Sequence, residues 1–453
     1  VGKSNKLTSL FIAGSVLASA AAGCSSETTS SSGSSSSPSA SPVASTAPSE
    51  KPKEKVEITF WHVYSDKDSG PLNEAVDAFN KANDHIMVKA LSNQDATKQL
   101  TAISGGNPPD IALTFWNNVG PWADVGAIQE LDTFFTQDKY DTKQYVPAAI
   151  ERMKVNGKYY GLPFTMSMSN TLLYNKKNFA DAGLAKPPET LEEMFEYAKK
   201  LTKKDANGIT QIGFIPDFPW IDNVFWPVIF GGSWVDADGK VTPNKKENVD
   251  SIAYQRKFYE EFGNDAIEKY KAGMGKRGTP QDPLLTGQLS MMIGWEYNYP
   301  AERVEGGPIG VAPFPYPASR PELKGSGFVS PRAVFIPKKA KHQKEAWEFM
   351  RYLLSADTQV QYALKTKTIP TITSALDDKR LKTDEMKSVA PYYEWAKNPN
   401  LQGFPNSVYI NEYLQSLSEE TEKALKGSQT PQQAMDNVAK KIQPVADKAK
   451  NKQ

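Results

Sequence analysis

Apolar and polar residues alternate along Val56-Glu57-Ile58-Thr59-Phe60-Trp61, a period of two that predicts a strand with one buried face. The period then lengthens: Leu72, Ala75, Val76 and Phe79 recur at helical spacing and predict a helix over residues 72–83. The alternation repeats with a strand at 85–90, a helix at 94–104 and a third strand at 110–115. Gly105-Gly106-Asn107-Pro108-Pro109 ends the second helix. Strands alternating with helices predict right-handed crossovers and a largely parallel sheet, an α/β fold. Ligands of such sheets sit at the carboxyl ends of the strands, and Trp61 and Trp116 fall at two of those ends.

Downstream, residues 172–176, 288–295 and 310–313 read as strands. Thr190 caps a helix, with Glu193 completing a capping box. Residues 328–337 read as an extended segment leading into an amphipathic helix at 343–354, and helices follow at 408–426 and 431–446. There is no internal repeat.

At the other end of the chain, Lys3 and Lys6 precede an apolar, small-residue run over 7–22, the pattern of a secretory signal at 1–23. The run closes in Ala21-Ala22-Gly23-Cys24, and Cys24 is the single cysteine. This resembles a lipobox, with Ala21 where leucine is usual, so lipid on Cys24 is expected. Residues 24–55 then form a Ser/Pro-rich linker too polar to order itself, with a reach of about 30 Å as a flexible coil. The folded part, about 400 residues, exceeds one ordinary core and predicts two lobes. A net charge of +1 suggests, by bulk electrostatics, neither nucleic acid nor a strongly charged ligand. Three His and one Cys leave little material for a metal or redox site, whereas nine Trp point to aromatic recognition; no cofactor is expected.

The order of short motifs narrows the picture. Ile58-Thr59-Phe60-Trp61 is followed by Gly105-Gly106-Asn107-Pro108-Pro109-Asp110-Ile111, then Tyr160-Gly161-Leu162-Pro163-Phe164. Leu173-Tyr174-Asn175-Lys176-Lys177-Asn178-Phe179, Ala182-Gly183-Leu184 and Pro187-Pro188-Glu189-Thr190-Leu191-Glu192-Glu193 come next. Leu285-Thr286-Gly287-Gln288-Leu289-Ser290-Met291-Met292, Val311-Ala312-Pro313-Phe314-Pro315 and Lys344-Glu345-Ala346-Trp347-Glu348-Phe349-Met350 complete the series. Jointly these resemble the extracellular solute-binding proteins of ATP-driven (ABC) sugar importers, the maltose-binding-protein group.

The resemblance implies a two-lobe, periplasmic-binding-protein-like type II fold. Each lobe is then a mixed, mostly parallel sheet flanked by helices, and ligand is trapped by closure of a hinge. It implies crossings near 161–165, 328–333 and 368–371. The N-terminal lobe is then 56–163 plus 329–368, and the C-terminal lobe 164–328 plus 369–450. The implied partners are a carbohydrate and the transmembrane subunits of an ABC permease. The implied setting is a monomer on the outer face of the cell membrane, held by its lipid anchor.

Sugars present apolar C–H faces and a rim of hydroxyls, so a site needs aromatic platforms beside amides or carboxylates. Five places fit: Trp61 with Tyr64, Asp66 and Lys67; Trp116 with Asn117 and Asn118; Trp220 with Asp222 and Asn223; Trp295 with Glu296; and Phe328 with Arg332. The competing readings are packing for Trp61, a helix cap for Asp66 and an ion pair with Arg303 for Glu296. Trp226 is expected in the core, and Trp122, Trp234, Trp347 and Trp395 in packing. There is no Gly-x-Ser-x-Gly elbow, zinc-protease motif or phosphate loop. Asp205-Ala206-Asn207-Gly208 and Asp236-Ala237-Asp238-Gly239 read as turns rather than calcium loops. The rival function is a secreted glycosidase using a carboxylate pair drawn from Asp66, Asp222 and Glu296.

Overall fold

Period-two burial in the first strand is carried through to the structure, a computed structural model that describes residues 55–218, 224–236, 239–296, 304 and 306–450. Ile58, Phe60 and His62 of β1 (Val56–His62) are buried, while Glu57 is exposed. β2 (Ile86–Leu91) and β3 (Ile111–Phe115) pair with β1 in parallel, Trp61 opposite Leu91 and Phe60 opposite Ile111. A short ribbon, β4 (Lys154–Val155) and β5 (Lys158–Tyr159), precedes the long β6 (Leu162–Ser169). β7 (Thr171–Asn175), β8 (Lys203–Asp205), β9 (Gly208–Phe214), β10 (Leu289–Gly294) and β11 (Ile309–Pro313) follow. The last three are β12 (Gly327–Phe335), β13 (Ile369–Pro370) and β14 (Leu401–Gln402).

Two sheets organise the molecule. The first runs β13-β6-β12-β3-β1-β2, with β14 alongside β12, and the second runs β11-β7-β10-β9-β8. Both are more antiparallel than simple strand–helix alternation implies. In the second sheet only β9 and β10 pair in parallel. In the first, β12 runs against both β3 and β6. The reason is the return path of the chain: a strand that comes back from the other sheet enters its neighbour in the opposite sense. Residues 328–337, read as an extended lead-in, prove to hold most of β12, an interior strand. Its Pro331 has no N–H to give a ladder, and the register shifts between Pro331 and Ala333, which accommodates it. The three segments expected to cross between lobes lie side by side as β13, β6 and β12. Only Asn170 separates β6 from β7 in the second sheet.

Helices cover both sheets. Leu72, Val76 and Phe79 of the helix Gly70–Ala82 are buried, and Phe79 meets Phe349 at 5.0 Å between ring centroids. In Leu191–Leu201 the Thr190 hydroxyl accepts from Glu193 N–H at 3.2 Å, and the Glu193 carboxylate accepts from Thr190 N–H at 3.4 Å. Removing that cap by Thr190→Ala is expected to cost about 1 kcal/mol in denaturant unfolding, whereas an unchanged midpoint would show the box to be idle. Trp226 is fully buried among Phe214, Phe225, Tyr254 and Phe314. Trp122, Trp234 and Trp347 are buried and Trp395 is half-buried. Asp205 turns the β8–β9 hairpin, its carboxylate accepting from Asn207 N–H at 2.7 Å. Among the described residues, no helix is long and apolar enough to cross a membrane.

Candidate functional site

Parallel β1, β2 and β3 bring their carboxyl ends to one edge of the first sheet. Three side chains there stay open: Trp61 is half-buried, while Leu91 (39%) and Phe115 (41%) are two of the three exposed large hydrophobic residues described. Phe115 carries the Arg332 guanidinium 4.2 Å from its ring centroid. The loop after β1 is tied to the loop after β2, with Asn93 N–H donating to Tyr64 O at 2.8 Å and Gln94 N–H to His62 O at 3.1 Å. Ser92 donates to the Asp66 carboxylate. Asp66 therefore braces this loop pair, and Ser69 occupies the helix cap position. Asp66 and Lys67 are exposed, and Tyr64 is half-buried.

Trp116 begins a 3-10 turn, Trp116–Asn118, directly after β3. Its indole N–H donates to the Ser330 hydroxyl at 2.9 Å, and Phe328 meets it edge-on at 6.1 Å. The Arg152 guanidinium lies 3.2 Å from the Trp116 ring centroid and 4.9 Å from that of Phe328. Trp116 (7%) and Phe328 (5%) are accordingly buried. Arg152 is 1% exposed and donates through Nη1 to Phe404 O at 2.6 Å. Burial holds its pKa well below the usual arginine range. Asn117 donates to Asn411 at 3.3 Å and Asn118 to the Thr114 hydroxyl at 2.9 Å.

From the second sheet, Trp295 and Glu296 directly follow the end of β10, and both are buried. Glu296 Oε2 accepts from Met168 N–H of β6 at 3.2 Å, so the two sheets touch at this carboxyl. Desolvation pushes its pKa up to about 7; the Ser167 hydroxyl, the Met168 N–H and the Arg332 charge pull against that shift without cancelling it. The opposite case is His62, whose pKa burial lowers to about 4, with Asp66 opposing. Neither His62 ring nitrogen has a partner among the described residues.

The structure thus gathers Trp116 and Phe328 around Arg152, and sets Glu296 near Arg332. It leaves Asp66 and Lys67 on an exposed loop. Trp220, Asp222, Asn223, Cys24 and the suggested partner Arg303 lie outside the described residues. Sequence reasoning passed over Phe115, His62 and Arg152. Two of them carried a signal: Phe115 continues the alternation of Ile111 and Leu113 to the strand end, and His62 shares the phase of Ile58 and Phe60. Arg152 had only its place between Ile150 and Met153 to mark it. Among the described residues, no group of three His, Cys, Asp or Glu side chains could hold a metal ion.

Comparison with known proteins places this geometry. The family model described as bacterial extracellular solute-binding protein matches residues 65–360. The maltotriose-binding protein of Pyrococcus abyssi is 24% identical over 320 residues, which are 66% of this chain and 64% of that protein. The galactooligosaccharide-binding protein of Bacillus subtilis is 26% identical over 400 residues, covering 83% and 87% of the two chains. Among solved structures, CpMnBP1 with mannotriose bound superposes with a TM-score of 0.70 at 27% identity, covering 85% of this chain and 99% of that one. With its two sheets meeting at Glu296 and a family match over most of its folded residues, the chain belongs to the bacterial extracellular solute-binding proteins, and its location is extracytoplasmic.

Proposed function

We propose that this protein captures an oligosaccharide between its two lobes by hinge closure and delivers it to the permease of an ABC importer. The observation that carries the reading is the meeting of aromatic and hydrogen-bonding side chains at strand ends from both sheets. Trp116, Phe115 and Phe328 come from the first sheet, and from the end of β10 in the second the Glu296 carboxylate reaches Met168 of β6. Relatives named for maltotriose and galactooligosaccharide, and a similar structure holding mannotriose, support a ligand of several sugar units. Micromolar capture requires about −8 kcal/mol. A few ring contacts with hydrogen bonds of about 1 kcal/mol each supply that scale without covalent chemistry.

In this reading the protein acts as a monomeric carrier rather than an enzyme, tethered to the outer face of the cell membrane by lipid on Cys24. The family and the similar structures are binding proteins, and Asp66, braced by Ser92 on an exposed loop, is poorly placed as a catalytic acid. Calorimetry against malto-, galacto- and manno-oligosaccharides of three to five units is expected to find a micromolar ligand that is recovered uncleaved. A folded protein that binds none of them sinks the reading, and cleavage of a bound glycan turns it into a glycosidase.

A further inference from the structure

Among the described residues, Arg152 is a buried charged group with few partners. Of its donors, only Nη1 has an acceptor, Phe404 O at 2.6 Å. Nε and Nη2 are buried with no partner among the described residues. These two nitrogens carry the parallel N–H pair on one edge of the guanidinium, the fork that matches the two oxygens of a carboxylate. Its sequence neighbour Glu151 is 60% exposed and engaged with Lys154 Nζ at 2.6 Å. No carboxylate forms a salt bridge with Arg152 among the described residues. The rings of Trp116 and Phe328 offset part of the cost of burying the charge, yet they leave the fork empty. A buried cation without a counter-charge is expensive enough to require one.

Beside it lies a cavity of about 470 Å³ between residues 147–154 and 401–406, which Arg152 lines. That volume is in the range of sites for small ligands. Gly403 and Asn406 line that cavity too, and their segment covers the arginine. A Cβ on Gly403 would come within 2.4 Å of Arg152 Cδ and 2.6 Å of Nη1, so the chain there runs flat across the arginine. Asn406 donates to the Arg152 carbonyl and anchors the end of that wall.

We infer that Arg152 is an oxyanion-recognition residue of the carbohydrate site, and that the glycan carries a carboxylate, as in a uronate. The inference rests on the proposed carbohydrate function. The carboxylate displaces the wall at Gly403–Asn406 and takes both free N–H groups, and its sugar ring occupies the adjoining cavity. The near-zero net charge of the chain says nothing against this, because one desolvated guanidinium sets the local field.

The test is calorimetry with trigalacturonate, trimannuronate and triglucuronate, each beside its carboxyl-reduced neutral counterpart, and with sodium sulfate as a free oxyanion. At least one acidic trisaccharide is expected to bind ten or more times tighter than its neutral counterpart. Arg152→Gln is expected to collapse that preference to under twofold, and Arg152→Lys to retain only part of it. If Arg152→Gln does not fold, the wild type decides alone: raising NaCl from 0.02 to 0.5 M, about a fivefold shortening of the screening length, should erode binding of the acid and spare the neutral sugar. Neutral sugars binding as tightly as acids overturns the inference and leaves the carrier reading intact. Sulfate binding without any uronate binding reassigns the fork to a free anion. Failure of every glycan, neutral and acidic, removes both readings.

Discussion

Trp116→Ala is expected to destabilise the protein by about 3–5 kcal/mol and to weaken glycan binding at least a hundredfold. The ring is 7% exposed and serves three neighbours at once: the Ser330 hydroxyl, the Phe328 edge and the Arg152 guanidinium. Its removal opens a cavity and strips the buried cation of its nearest aromatic face. Trp116→Phe separates these contributions. It keeps a ring under Arg152 and loses the 2.9 Å bond to Ser330, a loss of about 1 kcal/mol. Denaturant unfolding of both variants, followed by calorimetry on whichever remains folded, measures the two losses. If Trp116→Ala unfolds at the wild-type midpoint, the stack on Arg152 is not holding the site together.

The second expected result concerns pH. Glu296 is buried, and its pKa rises from 4.5 to about 7 chiefly through desolvation. Unfolded, the carboxyl gives up its proton near 4.5; folded, it keeps it to about 7. Between those values the native state holds the extra proton, so stability contributed here is present below pH 4.5 and is lost as pH rises toward 7. The span amounts to about 3 kcal/mol. His62 works the other way: its pKa falls from 6.5 to about 4, so its contribution is complete above 6.5 and lost as pH falls to 4. In the wild type the two slopes oppose each other between pH 4.5 and 6.5. In Glu296→Gln the falling contribution of this carboxyl is gone, so the variant should gain stability relative to the wild type as pH rises from 4.5 to 7. Unfolding free energies from pH 4 to 8 for both proteins provide the comparison. Parallel curves would mean that Glu296 titrates as an ordinary carboxyl.

Elements whose inner faces are apolar were legible from the chain alone. β1, β3, the helix Leu191–Leu201 with its capping box and the two C-terminal helices stand within a few residues of their expected places. The helix Lys246–Phe262 was not, because its inner face carries Asn248, Ser251 and Gln255 among the apolar residues. Asn248 is made compatible with burial by donating to Ser233 O and Thr242 O, each at 2.8 Å, partners that no periodicity reveals. The site divides similarly. Strand-end aromatics could be read from position, and so could the fold family from motif order. That Trp116 and Phe328 meet beside a buried arginine could not, because three distant segments meet there and a lone arginine ordinarily marks the surface.

The adjacency of β13, β6 and β12 has a mechanical consequence. Separate straps between two bodies would let each strap twist on its own, and the bodies could swivel freely. Three strands bonded edge to edge behave instead as a plate, stiff to torsion and to sliding within its plane, and compliant only in flexure across the strands. If the lobes open by the proposed hinge, the expected motion follows a single bending coordinate. The interruption of the ladder at Pro331 thins the plate along one line, where that proposed bend is expected to fall.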